Sequence, residues 1–172
     1  IPAWEAKFRQ EALIRTVHHG THIEGNALNL EEAEKVVEAG VDRQITSAAR
    51  AAAETGVVAR DRDIQEVLNY RNVLSFIEKF HLQQEKQAQY QSDMWSDDER
   101  IITDAHGVIS ETVVLHIHKL TVEKILTPAD CGAFRKTQVV VKNSRTGEIT
   151  FRPPPAIEVP FLAREFLQWL AG

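Results

Sequence analysis

Glu24 is the residue whose type and position first ask for a chemical explanation. Counting back at helical spacing gives Gly20, Val17 and Leu13, which with Glu24 fall within roughly 60° on a helical wheel. A carboxylate on an otherwise apolar line is costly to bury unless a cation or several donors meet it. The line therefore predicts a Glu24 that faces protein and is positioned for a charged partner. Gly25-Asn26 follows, two residue types that tolerate a left-handed turn and end a helix just after the acid. The plain alternative is an ordinary acidic residue at a frayed helix end.

Other reactive side chains are less well placed. His18 and His22 are four apart on the same helix, a spacing that suits a transition metal, yet no third ligand accompanies them. His116 and His118 lie about 200° apart on a helix and cannot easily share an ion, so no metal site is expected. Ser110 and Ser144 have no triad partners in sequence context. Arg62 and Asp63 are candidate site residues, but read more simply as an exposed ion pair at a helix start. Trp4, Trp95 and Trp169 read as core or interface aromatics.

The composition bounds the remaining choices. With 172 residues and 43% hydrophobic content, the chain can bury one sizeable core, as one domain or one plus an appendage. A net charge of −5 provides no overall basic field for nucleic acid, although it leaves room for a local patch. No apolar run approaches the ~20 residues that span a bilayer, and no secretory signal is visible. The single Cys131 cannot form an internal disulfide, which fits a reducing cytoplasm, and it reads as a small buried hydrophobe. The sequence opens at Ile1 and its one methionine is Met94, so it reads as a fragment.

Periodicity supplies the elements that must position these groups. Pro2 suits a first helical turn, and a helix about 30 Å long is expected from Trp4 to about Glu24. Asn29 and Glu32 form a capping box for a second helix that should stop at Gly40. An Ala-rich helix is expected over 44–55, ended by Gly56, and a long one from Arg60 to about Gln91. In the long helix Asn69, Arg71 and Asn72 break the apolar stripe. Ser92 to Gly107 is the expected loop, and Ser110-Glu111 opens a helix that ends by Thr127-Pro128. The period then changes: Thr137 to Lys142 and Ile149 to Phe151 are rich in β-branched residues and predict a β-hairpin. Pro153-Pro154-Pro155 ends it, and Val159-Pro160 opens a last helix. The fold class is mainly α with one hairpin.

The segment Ile23-Glu24-Gly25-Asn26 resembles the inhibitory motif of the Fic family, Ser/Thr-x-x-x-Glu-Gly/Asn. Gly20 stands at the family's Ser/Thr position and Thr21 one residue late. The resemblance continues in order through Arg62 to Tyr70, Ile117-His118-Lys119-Leu120, Gly132-Ala133-Phe134-Arg135, the hairpin, and Phe151-Arg152-Pro153-Pro154-Pro155. It implies an N-terminal helical region over 1–56 with the inhibitory helix, and the first part of a Fic-like core over 57–172. It also implies that Glu24, Thr21, Gly25 and Asn26 lie beside ATP. Val139, Val140, Val141, Lys142, Ile149, Thr150 and Phe151 would form a flap that docks a target protein by strand addition.

The family's signature, His-x-Phe-x-Asp/Glu-Gly-Asn-Gly-Arg, does not occur in these residues, so no catalytic residue is assigned here. The resemblance implies that the full protein transfers AMP from ATP, with Mg2+, to a Ser, Thr or Tyr hydroxyl of a target protein. Glu24 would hold the signature's last arginine and prevent placement of the γ-phosphate. The alternative is a non-catalytic interaction module that uses the hairpin edge. Whether identical copies associate is left open by the sequence.

Overall fold

The structure, a computed structural model, describes residues 2–43, 45–86 and 109–171. Six α-helices and one two-stranded antiparallel hairpin account for the regular structure of these residues, so the chain is mainly α. It divides into two compact units, Ile1–Lys79 with Leu120–Cys131, and Phe80–Lys119 with Gly132–Gly172.

In the first unit, α1 (Ala3–Ile23), α2 (Leu30–Arg43), α3 (Ala48–Thr55) and the first part of α4 (Asp61–Lys86) surround one core. Ile14 and Val17 of α1 meet Val36 and Val37 of α2, Ala48 and Ala51 of α3, and Ile64, Val67 and Leu68 of α4. The capping box at α2 is formed reciprocally. Asn29 Oδ1 accepts from the Glu32 N–H at 3.0 Å, and Glu32 Oε2 accepts from the Asn29 N–H at 2.9 Å. At the other end α2 runs on past Gly40 to Arg43, against the expected stop. The space a Cβ would take at Gly40 is filled by the Arg71 guanidinium, so this glycine serves close packing within a helix. Burial holds Arg71 below the ordinary guanidinium pKa.

The polar residues that break the expected α4 stripe are partly interior. Asn69 is 1% exposed, and its Nδ2 donates to the carbonyls of Thr121 and Glu123 at 3.0 and 2.8 Å. Gln65 Nε2 donates to Asn69 Oδ1 at 2.9 Å, and Gln65 Oε1 accepts the Ala48 N–H at 3.0 Å. Buried amides with complete partners fix the register of the elements they join. Here they join α3, α4 and the end of α5 (Glu111–Val122). Just beyond α5, Lys124 has φ 60, and its Nζ donates to Thr46 O at 2.7 Å.

The second unit holds the start of α5, the hairpin, and α6 (Val159–Leu170) after a short 3-10 turn at Ala156–Glu158. The Gly132 N–H donates to His118 Nδ1 at 3.1 Å and ties the chain back onto α5. The hairpin pairs β1 (Val141–Lys142) with β2 (Ile149–Phe151), far shorter than the expected strand from Thr137. The register explains the difference. Val141 lies opposite Phe151, so residues preceding Val141 run opposite Pro153 to Pro155, which have no N–H to donate. Side chains replace the ladder there: Gln138 Nε2 donates to Pro153 O at 3.1 Å, and Arg135 donates to Pro154 O.

Trp4 and Trp169 are 72% and 74% exposed, so neither is a core residue of this chain, and Trp95 lies outside the described residues. The expected loop over 92–107 and the helix beyond Lys86 also lie outside them.

Candidate functional site

The backbone at the end of α1 is fixed by a double hydrogen-bonded cap. The Asn26 N–H donates to Thr21 O at 3.2 Å, and the Gly25 N–H donates to His22 O at 3.0 Å. With Gly25 at φ 90, this is a Schellman motif in which Glu24 is the C-cap and Gly25 is C′. Apart from its chain neighbours, no atom of the described residues lies within 4 Å of where a Gly25 Cβ would be, so conformation rather than space requires glycine.

Asn26 then anchors the turn to α4. It is 3% exposed, and its Nδ2 donates to Asp63 O at 2.8 Å and to Glu66 Oε2 at 3.0 Å. Its Oδ1 accepts the Leu28 N–H at 3.1 Å. Those two carboxylate residues are themselves held. Arg60 donates two hydrogen bonds of 2.8 Å to buried Asp63, and Arg62 donates to Glu66 at 2.8 Å. The bond to Asp63, reinforced by its charge, raises the Arg60 pKa above its ordinary value. Arg62 and Asp63 therefore do not form the exposed pair their adjacency implies; each has a different partner.

Glu24 itself is exposed, which corrects the expectation of a protein-facing carboxylate. The buried line of α1 is Ile14, Val17 and Thr21. Glu24 follows the last helical residue, and its side chain makes no hydrogen bond or ion pair among the described residues. The arrangement is a negative charge on a hydrogen-bonded turn, exposed to the outside. Such a group could bind a guanidinium in bidentate fashion.

Thr21 and Gly20 complete the picture. The Thr21 hydroxyl donates back to Val17 O at 2.9 Å and lies 3.2 Å from His18 O, so it is engaged within the helix. At Gly20, a Cβ would lie 2.6, 2.8 and 2.9 Å from Cε1, Cζ and the hydroxyl oxygen of Tyr70. Tyr70 is thus the residue that sequence reading passed over. The signal for it was present in the absence of any side chain at Gly20.

His18 and His22 do come together, with ring centroids 5.5 Å apart and nearly parallel planes. His22 Nδ1 lies 3.1 Å from Asn26 O, while among the described residues His18 Nδ1 is buried without a hydrogen-bond partner. Burial, then the neighbouring His19 and His22, lowers the His18 pKa. Among the described residues no group of three or more His, Cys, Asp or Glu is arranged to hold a metal, and no helix is long and apolar enough to cross a membrane.

The hairpin residues Val139, Val141, Lys142, Ile149, Thr150 and Phe151 are all exposed, and Val140 is half-buried. The partner of β1 jumps from Phe151 to Ile149 between consecutive residues, leaving Thr150 as a bulge whose hydroxyl donates to Val141 O at 3.2 Å. The connection is ordered by Asn143, whose Oδ1 accepts from the N–H groups of Arg145 and Thr146 at 2.8 and 3.2 Å. Cys131 is half-buried with its thiol against carbonyls, 3.3 Å from Thr127 O, rather than in the apolar core.

No family model matches the sequence, no curated protein matches it, and no solved structure matches the fold.

Proposed function

We propose that these residues are part of a Fic-type AMP-transferase, carrying its inhibitory glutamate and its target-docking flap. The observation that supports this reading best is the turn at Glu24. A carboxylate without a partner among the described residues is presented from a Schellman motif whose last residue, Asn26, is anchored by three side-chain hydrogen bonds. That is what a single-carboxylate block of an incoming arginine requires: fixed backbone, available charge. The departure at Gly20 has a physical cause under this reading, because Tyr70 occupies the volume of a Ser or Thr side chain.

In the full protein, the signature's last arginine would be held by Glu24 and so be withheld from the γ-phosphate. ATP, with Mg2+, supplies the AMP group when bound. Both would be held by the signature's phosphate-binding turn, so no residue of this chain is assigned to either. The hairpin would capture an extended target segment by main-chain hydrogen bonding and place its hydroxyl. A cytoplasmic setting fits the single cysteine.

The second reading, an interaction module without catalysis, is favoured by the exposure of every residue in β1 and β2. Labelling separates the two. The full-length protein carrying Glu24→Gly, incubated with ATP labelled at the α-phosphate and Mg2+, should yield labelled protein, and residues 1–172 alone should yield none. No label from this full-length variant would leave the interaction module, and label on residues 1–172 alone would place the catalytic groups elsewhere.

A further inference from the structure

The hairpin differs in charge from the rest of the chain. Residues 135–152 contain Arg135, Lys136, Lys142, Arg145 and Arg152 against the single acid Glu148, a net charge of +4 within a chain of −5. The other 154 residues therefore carry −9, so this stretch stands out as a net positive segment of an acidic chain. Lys136, Lys142, Arg145 and Arg152 are exposed, and among the described residues none of the five cations forms an ion pair. They run the length of the ribbon, from Arg135, Lys136 and Arg152 at its base through Lys142 on β1 to Arg145 in the connection. Interleaved with them are the exposed apolar side chains Val139, Val141, Ile149 and Phe151.

We infer that this ribbon selects an acidic extended polypeptide segment. The inference rests on strand capture by the hairpin, and adds which strand is captured. Main-chain pairing at an open edge gives affinity without regard to sequence. The cations then favour a segment with Asp or Glu and disfavour one with Lys or Arg, as expected for complementary charge across an interface. Of the exposed apolar side chains between the cations, Val139, Val141 and Ile149 are aliphatic and Phe151 is the one aromatic, which favours an extended peptide over a nucleic acid whose successive bases would stack on several aromatics.

Fluorescence anisotropy on the full-length protein tests this with a labelled peptide of about ten alternating Val, Thr and Glu residues, and counterparts in which Gln or Lys replaces Glu. The Glu peptide should bind about 10-fold tighter than the Gln peptide at low salt, with the Lys peptide weakest, and the difference should shrink as added salt screens the charges. Lys142→Glu/Arg145→Glu/Arg152→Glu should reverse the order. All three positions are exposed, so an unchanged thermal midpoint shows that the triple variant remains folded. Equal binding of all three peptides would overturn the charge selection while leaving strand capture standing. Failure of every peptide to bind would overturn capture and the inference together. Tighter binding of an RNA oligonucleotide or of phosphatidylserine vesicles, lost in the triple variant, would reassign the cations to that partner and overturn the inference.

Discussion

The turn at Glu24 and the hairpin at 141–151 handle their polar groups in opposite ways. At the turn, the main-chain N–H groups of Gly25 and Asn26 and the Asn26 amide are all satisfied internally, and one carboxylate is left over. In the hairpin, two short strands are joined to each other and both outer edges have no strand beside them among the described residues. A fixed frame with one available charge suits a contact made with one partner group in one geometry. An open ribbon with spare main-chain groups suits many partner sequences in a shared conformation. Under the proposed reading, the difference separates regulation from recognition within one chain.

If the turn is rigid because Asn26 anchors it, removing that amide should have the largest effect on stability. Asn26→Ala leaves the Leu28 N–H without its partner, which costs about 1–3 kcal/mol, and removes the hydrogen bonds to Glu66 Oε2 and to Asp63 O, which keeps its bond within α4. The expected loss is about 2–4 kcal/mol by urea titration, against under about 0.5 kcal/mol for Thr150→Ala in the hairpin. Equal losses would remove the contrast between the two regions.

A smaller loss is expected at Gly20. Gly20→Ser must displace the Tyr70 ring and should cost about 1–3 kcal/mol, the range for overpacking. Most of that loss should be absent when Tyr70→Ala makes room, which a thermodynamic cycle of the two single variants and the double would reveal. Additive effects would mean that Tyr70 does not set the end of α1.

In the hairpin the sensitive feature should be the main chain. Proline in the strand that pairs with the target removes a donor, whereas alanine only trims a side chain. Anisotropy with the Val/Thr/Glu peptide should show a several-fold weaker affinity for Val141→Pro or Thr150→Pro than for alanine at the same site, according to which edge is used. Equal effects of proline and alanine would indicate side-chain recognition.

The smallest effect concerns pH. Burial and the nearby His19 and His22 lower the His18 pKa from 6.5. Below that pH the unfolded chain takes up a proton that the folded chain does not, so stability falls as the pH drops below 6.5 and levels off once folded His18 protonates. Urea midpoints on either side of that pH should fall less for His18→Gln than for the wild type. An equal fall would place the titration elsewhere.

Local signals were legible in the sequence where both partners are close in the chain. The Asn29/Glu32 cap, the glycine turn after Glu24 and the two hairpin strands are interactions within a few residues. What the sequence did not disclose depends on partners far away. Asn26 finds Asp63 and Glu66, Asn69 finds the end of α5, Arg71 fills the gap at Gly40, and Tyr70 fills the one at Gly20. A helical wheel placed Glu24 on the buried line because it extends the helix past Ile23, where the cap turns the chain away. The strand expected from Thr137 is shorter because its first residues lie opposite Pro153 to Pro155, a pairing set by the register and not by the local sequence.

The central claim is that Glu24 restrains AMP transfer, and one comparison tests it most directly. In the full-length protein, Glu24→Gly should raise auto-AMP labelling about 10- to 100-fold, equivalent to about 1.4–2.8 kcal/mol. Glu24→Gln should raise it less, because the amide still fills the space and hydrogen bonds. Unchanged labelling in a folded Glu24→Gly protein would contradict the account and leave Glu24 as a helix-end carboxylate.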